Sequence, residues 1–345
     1  MTLRAHLLAG QVIPAHPLAL TPSRGLDERR QRALTRYYVD AGAGGIAVGV
    51  HTTQFGIRDH GMLRDVLALA ASAACEWLGD TPRPFSLVAG VVGDRHQALD
   101  EAELAKSLGY QAVLLSLGAW SDASEGDLIR HCQRVAEVMP VMGFYLQPAV
   151  GGRVLHYRFW REFAEIANVV AIKIAPFNRY QTLDVVRAVV EADRDDIALY
   201  TGNDDNIVVD LLTPYRFPVG GRTVTRHVVG GLLGQWAVWT RRAVELLEEI
   251  KVARGAAIEP EWLARAAAVT DANGAIFDVK HGFAGCIPGI HEVLRRQGLL
   301  RGTWCLDPNE RLSLGQDQEL DRVCRSYPVL ADDDFVAANL ERWLA

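Results

Sequence analysis

Short apolar runs alternate regularly with longer amphipathic stretches from the N-terminus to about residue 225, and this pattern limits the folds that the chain can adopt. Short apolar runs bounded by turn residues predict buried strands, and apolar residues spaced three and four apart predict helices. Strands joined through helical crossovers are parallel and are covered by helices. The pattern therefore predicts an α/β fold built around a parallel sheet.

Eight strand candidates can be counted in this pattern. They lie at residues 12–15, 45–50, 85–91, 112–117, 141–146, 169–174, 197–201 and 217–224. The helical stretches between them include residues 27–41, 65–78, 95–108, 124–138, 158–167 and 179–192. Eight such strands over ~200 to 250 residues are typical of a (β/α)8 TIM barrel. We expect residues 1–225 to form the barrel, with an open doubly wound sheet as the alternative.

The remaining residues, 226–345, have a mainly helical pattern that is interrupted at 282–289 by a segment rich in Gly and Pro. Barrel closure does not require so many residues. We expect an additional helical C-terminal region packed on the barrel, where it caps the barrel, covers its mouth or lines a subunit interface.

Charge and composition argue against two classes of protein. The chain has 36 Lys and Arg against 42 Asp and Glu without a basic block, so a nucleic-acid surface is not expected. The longest apolar stretch, residues 228–239, is far shorter than the ~20 residues of a membrane helix. The five cysteines form no Cys-x-x-Cys motif and are interpreted as reduced thiols. We expect a cytoplasmic protein without a membrane span or cleaved signal.

Lys173 is an unusual residue for its predicted strand. The chain has only four lysines, and this one stands among Val, Ala and Ile just before Pro176. Strand periodicity places it on the face of Ala171 and Ala175, which we expect to point into the barrel near the end where barrel enzymes place catalytic groups. Burial there would lower its pKa and leave a neutral amine able to attack a ketone. The alternative is a lysine that extends out of the barrel end into water.

Tyr145 ends the preceding predicted strand. Neighbouring parallel strands lie about 5 Å apart, so Tyr145 and Lys173 are expected to reach one bound substrate. A phenol beside an amine is a reasonable proton shuttle. Packing is the alternative role of a tyrosine at a strand end.

Four segments carry a family resemblance. They read Gly-Val-His-Thr-Thr at 49–53, Tyr-Leu-Gln-Pro-Ala-Val-Gly-Gly at 145–152, Ala-Ile-Lys at 171–173 and Gly-Asn-Asp-Asp at 202–205. In order and spacing they resemble the dihydrodipicolinate synthase and N-acetylneuraminate lyase family of pyruvate-dependent class I aldolases. The resemblance covers roughly residues 8–300 and indicates a divergent member with a C-terminal extension. It implies a cofactor-free homotetramer or homodimer acting on a small-molecule 2-keto acid and an aldehyde.

The resemblance also implies roles for individual residues. Lys173 would form the Schiff base and Tyr145 would transfer protons. Thr52 and Thr53 would hold the carboxylate of the 2-keto acid.

The turn at 202–205 would contact the hydroxylated part of the substrate through Gly202, Asp204 and Asp205, as in the sialic-acid lyases. Carboxylates accept hydrogen bonds from hydroxyl groups, which suits this role. An ordinary Asx turn after the seventh strand is the alternative.

The chain also departs from the family pattern. Val150 stands where the lysine-pathway synthases carry an Arg for the second substrate, and Trp120 stands where they carry a relay tyrosine. His51 precedes the threonine pair where the family has glycine. Because imidazole titrates near neutrality, His51 is a candidate acid/base or substrate-binding group, with a structural histidine as the alternative.

These observations predict a Schiff-base-forming lyase, either a class I aldolase or a dehydratase, acting on pyruvate plus an aldehyde or on a 2-keto-3-deoxy sugar acid. Condensation of the dihydrodipicolinate synthase type is one alternative. A metal-dependent barrel enzyme with His51 and Asp204 or Asp205 as ligands is another, although the histidine spacing matches no metal motif. A non-catalytic 2-keto acid-binding protein is the third.

Overall fold

The computed structural model describes residues 1–79 and 82–345. The strands are β1 Val12–Pro14, β2 Gly45–Val48, β3 Ser86–Val91, β4 Ala112–Leu115, β5 Val141–Leu146, β6 Val169–Ala175, β7 Ala198–Thr201, β8 Tyr215–Val219, β9 Arg222–Arg226 and β10 Gly230–Leu233. The helices are α1 Leu3–Leu8, α2 Glu28–Ala41, α3 Leu63–Leu78, α4 Arg95–Ser107, α5 Glu125–Val138, α6 Tyr157–Phe163, α7 Arg179–Glu191, α8 Ile207–Leu212, α9 Thr240–Ala253, α10 Glu261–Ile276, α11 Cys286–Arg296, α12 Gln316–Ser326 and α13 Asp333–Leu344.

Eight of these strands, β1 to β7 and β10, belong to one eight-stranded sheet. With helices between successive strands, they define the predicted (β/α)8 barrel. The additional C-terminal helices, α9 to α13, are also present as predicted. Two compact units can be distinguished, and each is described separately below.

The first unit contains Met1–Gln11 and Ser86–Leu232. Within it the parallel strands pair in the order β10, β7, β6, β5, β4, β3. Every residue of β6 is buried, which explains its continuous Val, Ala and Ile sequence, since both faces of a parallel barrel strand are covered. The register pairs Phe144 with Lys173 and Tyr145 with Ile174.

The second unit contains Val12–Phe85 and Leu233–Ala345. Here β1 continues into a parallel bridge between Ala15 and Ala47, next to β2. Tyr37 on α2 connects this segment to the C-terminal helices. Its hydroxyl donates to Asp332 at 2.8 Å and accepts from the Thr240 amide at 2.7 Å. The C-terminal region is therefore held to α2 by buried polar contacts as well as by apolar packing.

The prediction of the eighth barrel strand at 217–224 is wrong. These residues lie in an antiparallel hairpin of β8 and β9, turned by Gly220 and Gly221 in the left-handed region. Its residues are largely exposed or half-buried, unlike those of a barrel strand. The eighth barrel strand is β10, which is fully buried and lies beyond the predicted barrel boundary at residue 225.

The two glycines of β10 explain why its sequence does not indicate a strand. A Cβ on Gly230 would lie 2.4 Å from the Gln11 carbonyl oxygen and 3.0 Å from the Tyr200 ring. The close approach of these backbones requires glycine, and the resulting Gly-Gly-Leu-Leu run lacks the β-branched residues that indicate a strand.

Among the described residues, no helix is both long enough and apolar enough to cross a bilayer. The five cysteines, all described, have free thiols.

We expect Gly230→Ala to lower the free energy of unfolding by about 1–3 kcal/mol, because the added methyl group overpacks the contact with Gln11. Gly274→Ala on α10 is the matched control, since a Cβ there meets nothing within 4 Å and alanine favours a helix. Urea unfolding of both variants measures the difference. Equal stability of the two variants would contradict the tight approach at Gly230.

Candidate functional site

Lys173 is buried near the carboxyl end of β6, in the first unit, with 8% of the residue exposed. Its Nζ lies 4.5 Å from the centre of the Phe144 ring on β5. Burial lowers the pKa of Lys173 to about 8, against an opposing effect of Asp204. At pH 7 a lysine with this pKa is neutral in roughly a tenth of the molecules, against less than about one in a thousand for an ordinary lysine. The amine is therefore suited to nucleophilic attack near neutral pH.

Gly202 allows the turn after β7 to rest directly on this lysine. A Cβ at this position would lie 2.6 Å from Lys173 Cε and 2.8 Å from Ala175 Cβ. The Gly202 amide donates to the Ile174 carbonyl at 2.7 Å, which holds the turn against β6. The glycine of the Gly-Asn-Asp-Asp motif is therefore required sterically, because any side chain there would overlap Lys173 and Ala175.

The two acidic residues of this turn have different surroundings. Asp204 is buried, and its negative charge favours the ammonium form of Lys173. Asp205 is about two-fifths exposed and lies 3.8 Å from the Arg179 guanidinium. Burial raises the pKa of Asp205, and Arg179 opposes that rise. The structure therefore associates Asp204 with the lysine and Asp205 with an arginine at the start of α7.

Asp210 is a site residue that the sequence analysis missed. Its side chain is 1% exposed and forms an ion pair with Arg179. The only sequence signal is an Asp within the otherwise apolar Ile-Val-Val-Asp-Leu-Leu of α8, which also fits a solvated helix position. Thr201, at the end of β7, donates to the Asp210 carboxylate at 2.8 Å. Asp210 therefore anchors the strand end from which the turn departs.

Tyr145 is fully buried and packs against α6. Its ring lies 5.2 Å from the ring of Trp160, centre to centre, and its hydroxyl oxygen accepts from the Leu155 amide at 3.1 Å. Burial raises the pKa of Tyr145 to about 12. Because the register pairs Tyr145 with Ile174, the β5 residue directly beside Lys173 is Phe144, which the sequence analysis did not single out.

The loops after β4 and β5, which contain Trp120 and Val150, contact each other. A Cβ on Gly118 would lie 2.6 Å from the Gly151 carbonyl oxygen, so the loops after β4 and β5 are in close contact. Arg153 donates to the carbonyls of Trp120 and, at 3.2 Å, Ala123. Trp120 donates its indole N–H to the Gly93 carbonyl at 3.1 Å. Arg153 is therefore engaged in hydrogen bonds that connect the two loops.

His51, Thr52 and Thr53 belong to the second unit, where they form a 3-10 turn after β2. Thr53 donates to the His16 carbonyl at 2.6 Å and accepts from the Gly49 amide at 3.0 Å. Thr52 makes a longer bond of 3.4 Å to the same carbonyl. Thr52 is thus the hydroxyl with the weaker internal bond, and the His51 ring packs edge-on against Phe55.

The structure therefore brings Lys173, Gly202 and Asp204 together, with Asp205 on the same turn. Tyr145 lies on the strand beside Lys173, packed towards α6. Among the residues that the structure describes, no three His, Cys, Asp or Glu side chains are grouped so as to hold a metal ion.

Comparison with known proteins gives the family. The model of the dihydrodipicolinate synthetase family matches residues 9–238, which is more than half of the chain. The chain belongs to this family, which confirms the resemblance found in the sequence.

Curated relatives match parts of the chain. The 4-hydroxy-tetrahydrodipicolinate synthase of Desulforudis audaxviator is 33% identical over 134 residues, covering 37% of this chain and 42% of that protein. The synthase of the same name from Desulforamulus reducens is 24% identical over 207 residues, covering 59% of this chain and 66% of that protein. The chain thus spans between about two fifths and two thirds of the length of these relatives.

Solved structures share the fold over most of the chain. The E. coli K12 prophage protein YagE, in complex with pyruvate, has 18% identity and a TM-score of 0.72, covering 93% of this chain and 99% of its own. The dihydrodipicolinate synthase of Acinetobacter baumannii, also complexed with pyruvate, has 17% identity and a TM-score of 0.74 with the same coverage. CdNal from Clostridium difficile, in complex with mannosamine, has 15% identity and a TM-score of 0.69, covering 92% of this chain and 99% of its own.

We expect Arg153→Ala to lower the free energy of unfolding by about 1.5–3 kcal/mol, because two carbonyls lose a charged donor. Arg130→Ala is the control, since its exposed ion pair with Asp127 contributes less than about 1 kcal/mol. Urea unfolding measures both effects. A loss no larger than that of Arg130→Ala would show that Arg153 does not hold the two loops.

Proposed function

We propose that this chain is a Schiff-base-forming lyase that acts on a 2-keto acid, with Lys173 as the nucleophile. The observation that carries this proposal is a buried lysine at the carboxyl end of β6 whose pKa is lowered to about 8. Catalytic groups of barrel enzymes lie at this end of the strands. Membership of the dihydrodipicolinate synthetase family supports the same chemistry.

In the proposed reaction, the neutral Nζ attacks the ketone carbon and forms a carbinolamine, which loses water to give an imine. The protonated imine accepts the electron pair of a bond that breaks at the carbon adjacent to the imine carbon. This bond is either the carbon–carbon bond of an aldol or a carbon–hydrogen bond that is lost before dehydration. In the aldol case the hydroxyl group of the departing carbon loses its proton as the carbon–carbon bond breaks, an aldehyde leaves, the enamine takes up a proton, and water hydrolyses the imine to release the 2-keto acid and the Lys173 amine. In the dehydration case the enamine expels the hydroxyl group of the next carbon, which takes up a proton and leaves as water. The face of the Phe144 ring favours the cationic imine by the same attraction that it exerts on the ammonium.

For Tyr145 we propose the role of proton donor during loss of water from the carbinolamine. The raised pKa keeps the phenol protonated at neutral pH. In its bond with Leu155 the oxygen is the acceptor, so the hydroxyl proton is not used there. The family pattern supports this role, although Phe144 is the closer neighbour of Lys173 along the strand.

The charges near the turn favour a hydroxylated second substrate without a second anionic group. Asp204 and Asp205 are acceptors for hydroxyl groups. Arg179 is paired with Asp210 and adjoins Asp205, so it carries little uncompensated positive charge. An aldehyde sugar or a 2-keto-3-deoxy sugar acid therefore fits better than the anionic second substrate of a synthase-type condensation.

Thr52 and Thr53 are proposed to bind the carboxylate of the 2-keto acid, on the basis of the family pattern. Thr52 is the better hydroxyl donor for this purpose because its bond to His16 is long. We propose His51 as a further substrate-binding residue on the same turn.

A homotetramer or homodimer remains a proposal based on the family, and size-exclusion chromatography near the 37.9 kDa monomer mass would contradict it. A cytoplasmic location is likewise proposed, and the free cysteines support it.

Borohydride treatment with pyruvate is expected to leave a covalent adduct on the peptide that contains Lys173, and Lys173→Ala is expected to abolish it. Trapping should become faster as the pH rises, with a midpoint near 8, because only the neutral amine attacks. Peptide mass spectrometry identifies the site.

Lys106→Ala, which removes an exposed lysine on α4, is the matched control and should still form the adduct. Failure to trap pyruvate and a panel of other 2-keto acids would overturn the lyase proposal. A measured activity that a chelator abolishes would instead favour a metal-dependent barrel enzyme. Trapping without turnover of any aldehyde or sugar acid would indicate a binding protein.

The carboxylate of the bound 2-keto acid is expected to depend on the Thr52 hydroxyl. Thr52→Val is expected to raise the pyruvate concentration for half-maximal trapping by roughly tenfold or more, as for loss of a hydrogen bond to a charged group. Thr225→Val on the exposed β9 is the control. Unchanged half-saturation in Thr52→Val would exclude the hydroxyl from carboxylate binding.

A further inference from the structure

The buried carboxylate of Asp210 makes more polar contacts than are needed to anchor the end of β7 through Thr201. It forms the ion pair with Arg179 and accepts hydrogen bonds from four other side chains. These bonds are Thr201 Oγ1 at 2.8 Å, Asn203 Nδ2 at 2.9 Å, Asn206 Nδ2 at 3.0 Å and Tyr215 hydroxyl at 3.3 Å.

These donors come from separate segments around the carboxyl end of the barrel strands. Thr201 ends β7, Asn203 and Asn206 lie in the turn that follows, Arg179 begins α7 and Tyr215 begins β8. One carboxylate therefore connects four segments, in addition to the Arg179–Asp205 ion pair and the Asn203–Thr182 hydrogen bond that also join the turn to α7.

The contacts of Asn203 extend this connection to the loop after β6. Its side-chain oxygen accepts from the Phe177 amide at 2.9 Å, and its amide nitrogen donates to Asp210. Phe177 has a φ of 51°, an uncommon conformation for a non-glycine residue, so the loop depends on such contacts. The loop after β6 and the turn after β7 are thus joined by Asn203, whose amide group is in turn hydrogen-bonded to Asp210.

Stability alone does not account for this arrangement. The Asp210 carboxylate is buried although its partner Arg179 is 40% exposed, so folding costs desolvation energy at Asp210, and an apolar replacement of a buried ionic group is often equally stable. The positions that the network fixes are those of Gly202, in close contact with Lys173 Cε, and of Asp204, the acidic residue two positions further along the turn.

We propose that Asp210 is a positioning residue for Lys173, because it holds the turn of residues 202–206 against the lysine side chain and keeps Asp204 facing the amine. The catalytic meaning of this role rests on the proposed lyase function. The positioning itself is a property of the folded chain and is measurable without any turnover.

The proposal predicts how the lysine responds when Asp210 changes. In Asp210→Asn the ion pair with Arg179 is lost. The amide nitrogen of the new asparagine is a donor and cannot accept the hydrogen bonds that the carboxylate oxygen accepted. The turn is released, and Lys173 loses the negative charge of Asp204 that favours its ammonium form. The remaining charged or titratable groups of the network are Arg179, Asp205 and Tyr215, which contact Asp210 or its ion-pair partner. The midpoint of Lys173 titration should therefore move to lower pH.

The test is pH-dependent labelling of the folded protein with trace acetic anhydride, read at each lysine by peptide mass spectrometry. The chain has only four lysines, so Lys106, Lys251 and Lys280 serve as internal references. We expect Asp210→Asn and Asp204→Asn each to lower the midpoint of Lys173 by roughly one pH unit, the lower end for loss of a nearby opposite charge. The double variant should shift no further than Asp204→Asn alone, because Asp210 acts through Asp204.

The control is Asp127→Asn, which removes an exposed ion pair on α5 and should leave the midpoint unchanged. If Asp210→Asn fails to fold, Asn203→Ala releases the turn more mildly and should shift the midpoint in the same direction by a smaller amount. A lower melting temperature with an unchanged midpoint in these variants would show a merely structural role and overturn the proposal. Additive shifts in the double variant would overturn it too, since Asp210 would then act by its own charge.

Failure of this proposal and failure of the lyase function give different results. If the wild type traps no 2-keto acid but Asp210→Asn shifts the Lys173 midpoint, the function is wrong and the positioning stands. If the wild type traps pyruvate and the midpoint does not move, the function stands and the positioning is wrong.

Discussion

The burial of one amine is the constraint on which the candidate site depends. Lys173 loses hydration inside the barrel, and this loss favours its neutral form. Two neighbours act in the opposite direction, the face of the Phe144 ring and the charge of Asp204. Because burial dominates, the pKa lies near physiological pH, where in the proposed reaction the group would be nucleophilic before imine formation and cationic after it.

Such a balance requires neighbours that do not move. The turn after β7 consists mainly of polar residues, and Asn203 and Asn206 hold it in position through hydrogen bonds to Asp210. Glycine at 202 permits the approach, and the buried carboxylate maintains it. We therefore expect a change at Gly202 or Asp210 to alter the titration of Lys173, although neither residue takes part in a chemical step.

The departures from the family pattern have structural counterparts in the loops. In the first unit, Arg153 joins the loops after β4 and β5, and Trp120 packs its ring against His131. In the second unit, Gln54 accepts from the Leu306 amide at 2.6 Å and so connects the turn of the threonine pair to the C-terminal region. The fold of the family is thus retained, and hydrogen bonds and ring packing of Arg153, Trp120 and Gln54 connect its loops in this chain. Such loop changes on a constant barrel are a common route to a different substrate.

The barrel class, the lysine and the glycine-acid turn are all recognisable in the amino-acid sequence. Strand and helix periods are local properties, and a lysine within Val, Ala and Ile is conspicuous without any structure. The three-dimensional fold was needed to show that residues 217–224 form a hairpin and that Gly230–Leu233 completes the barrel, because contact with Gln11, more than 200 residues earlier, selects glycine at position 230. Likewise, Phe144 and Asp210 became visible only through strand register and through hydrogen bonds between separate segments, which no local pattern encodes.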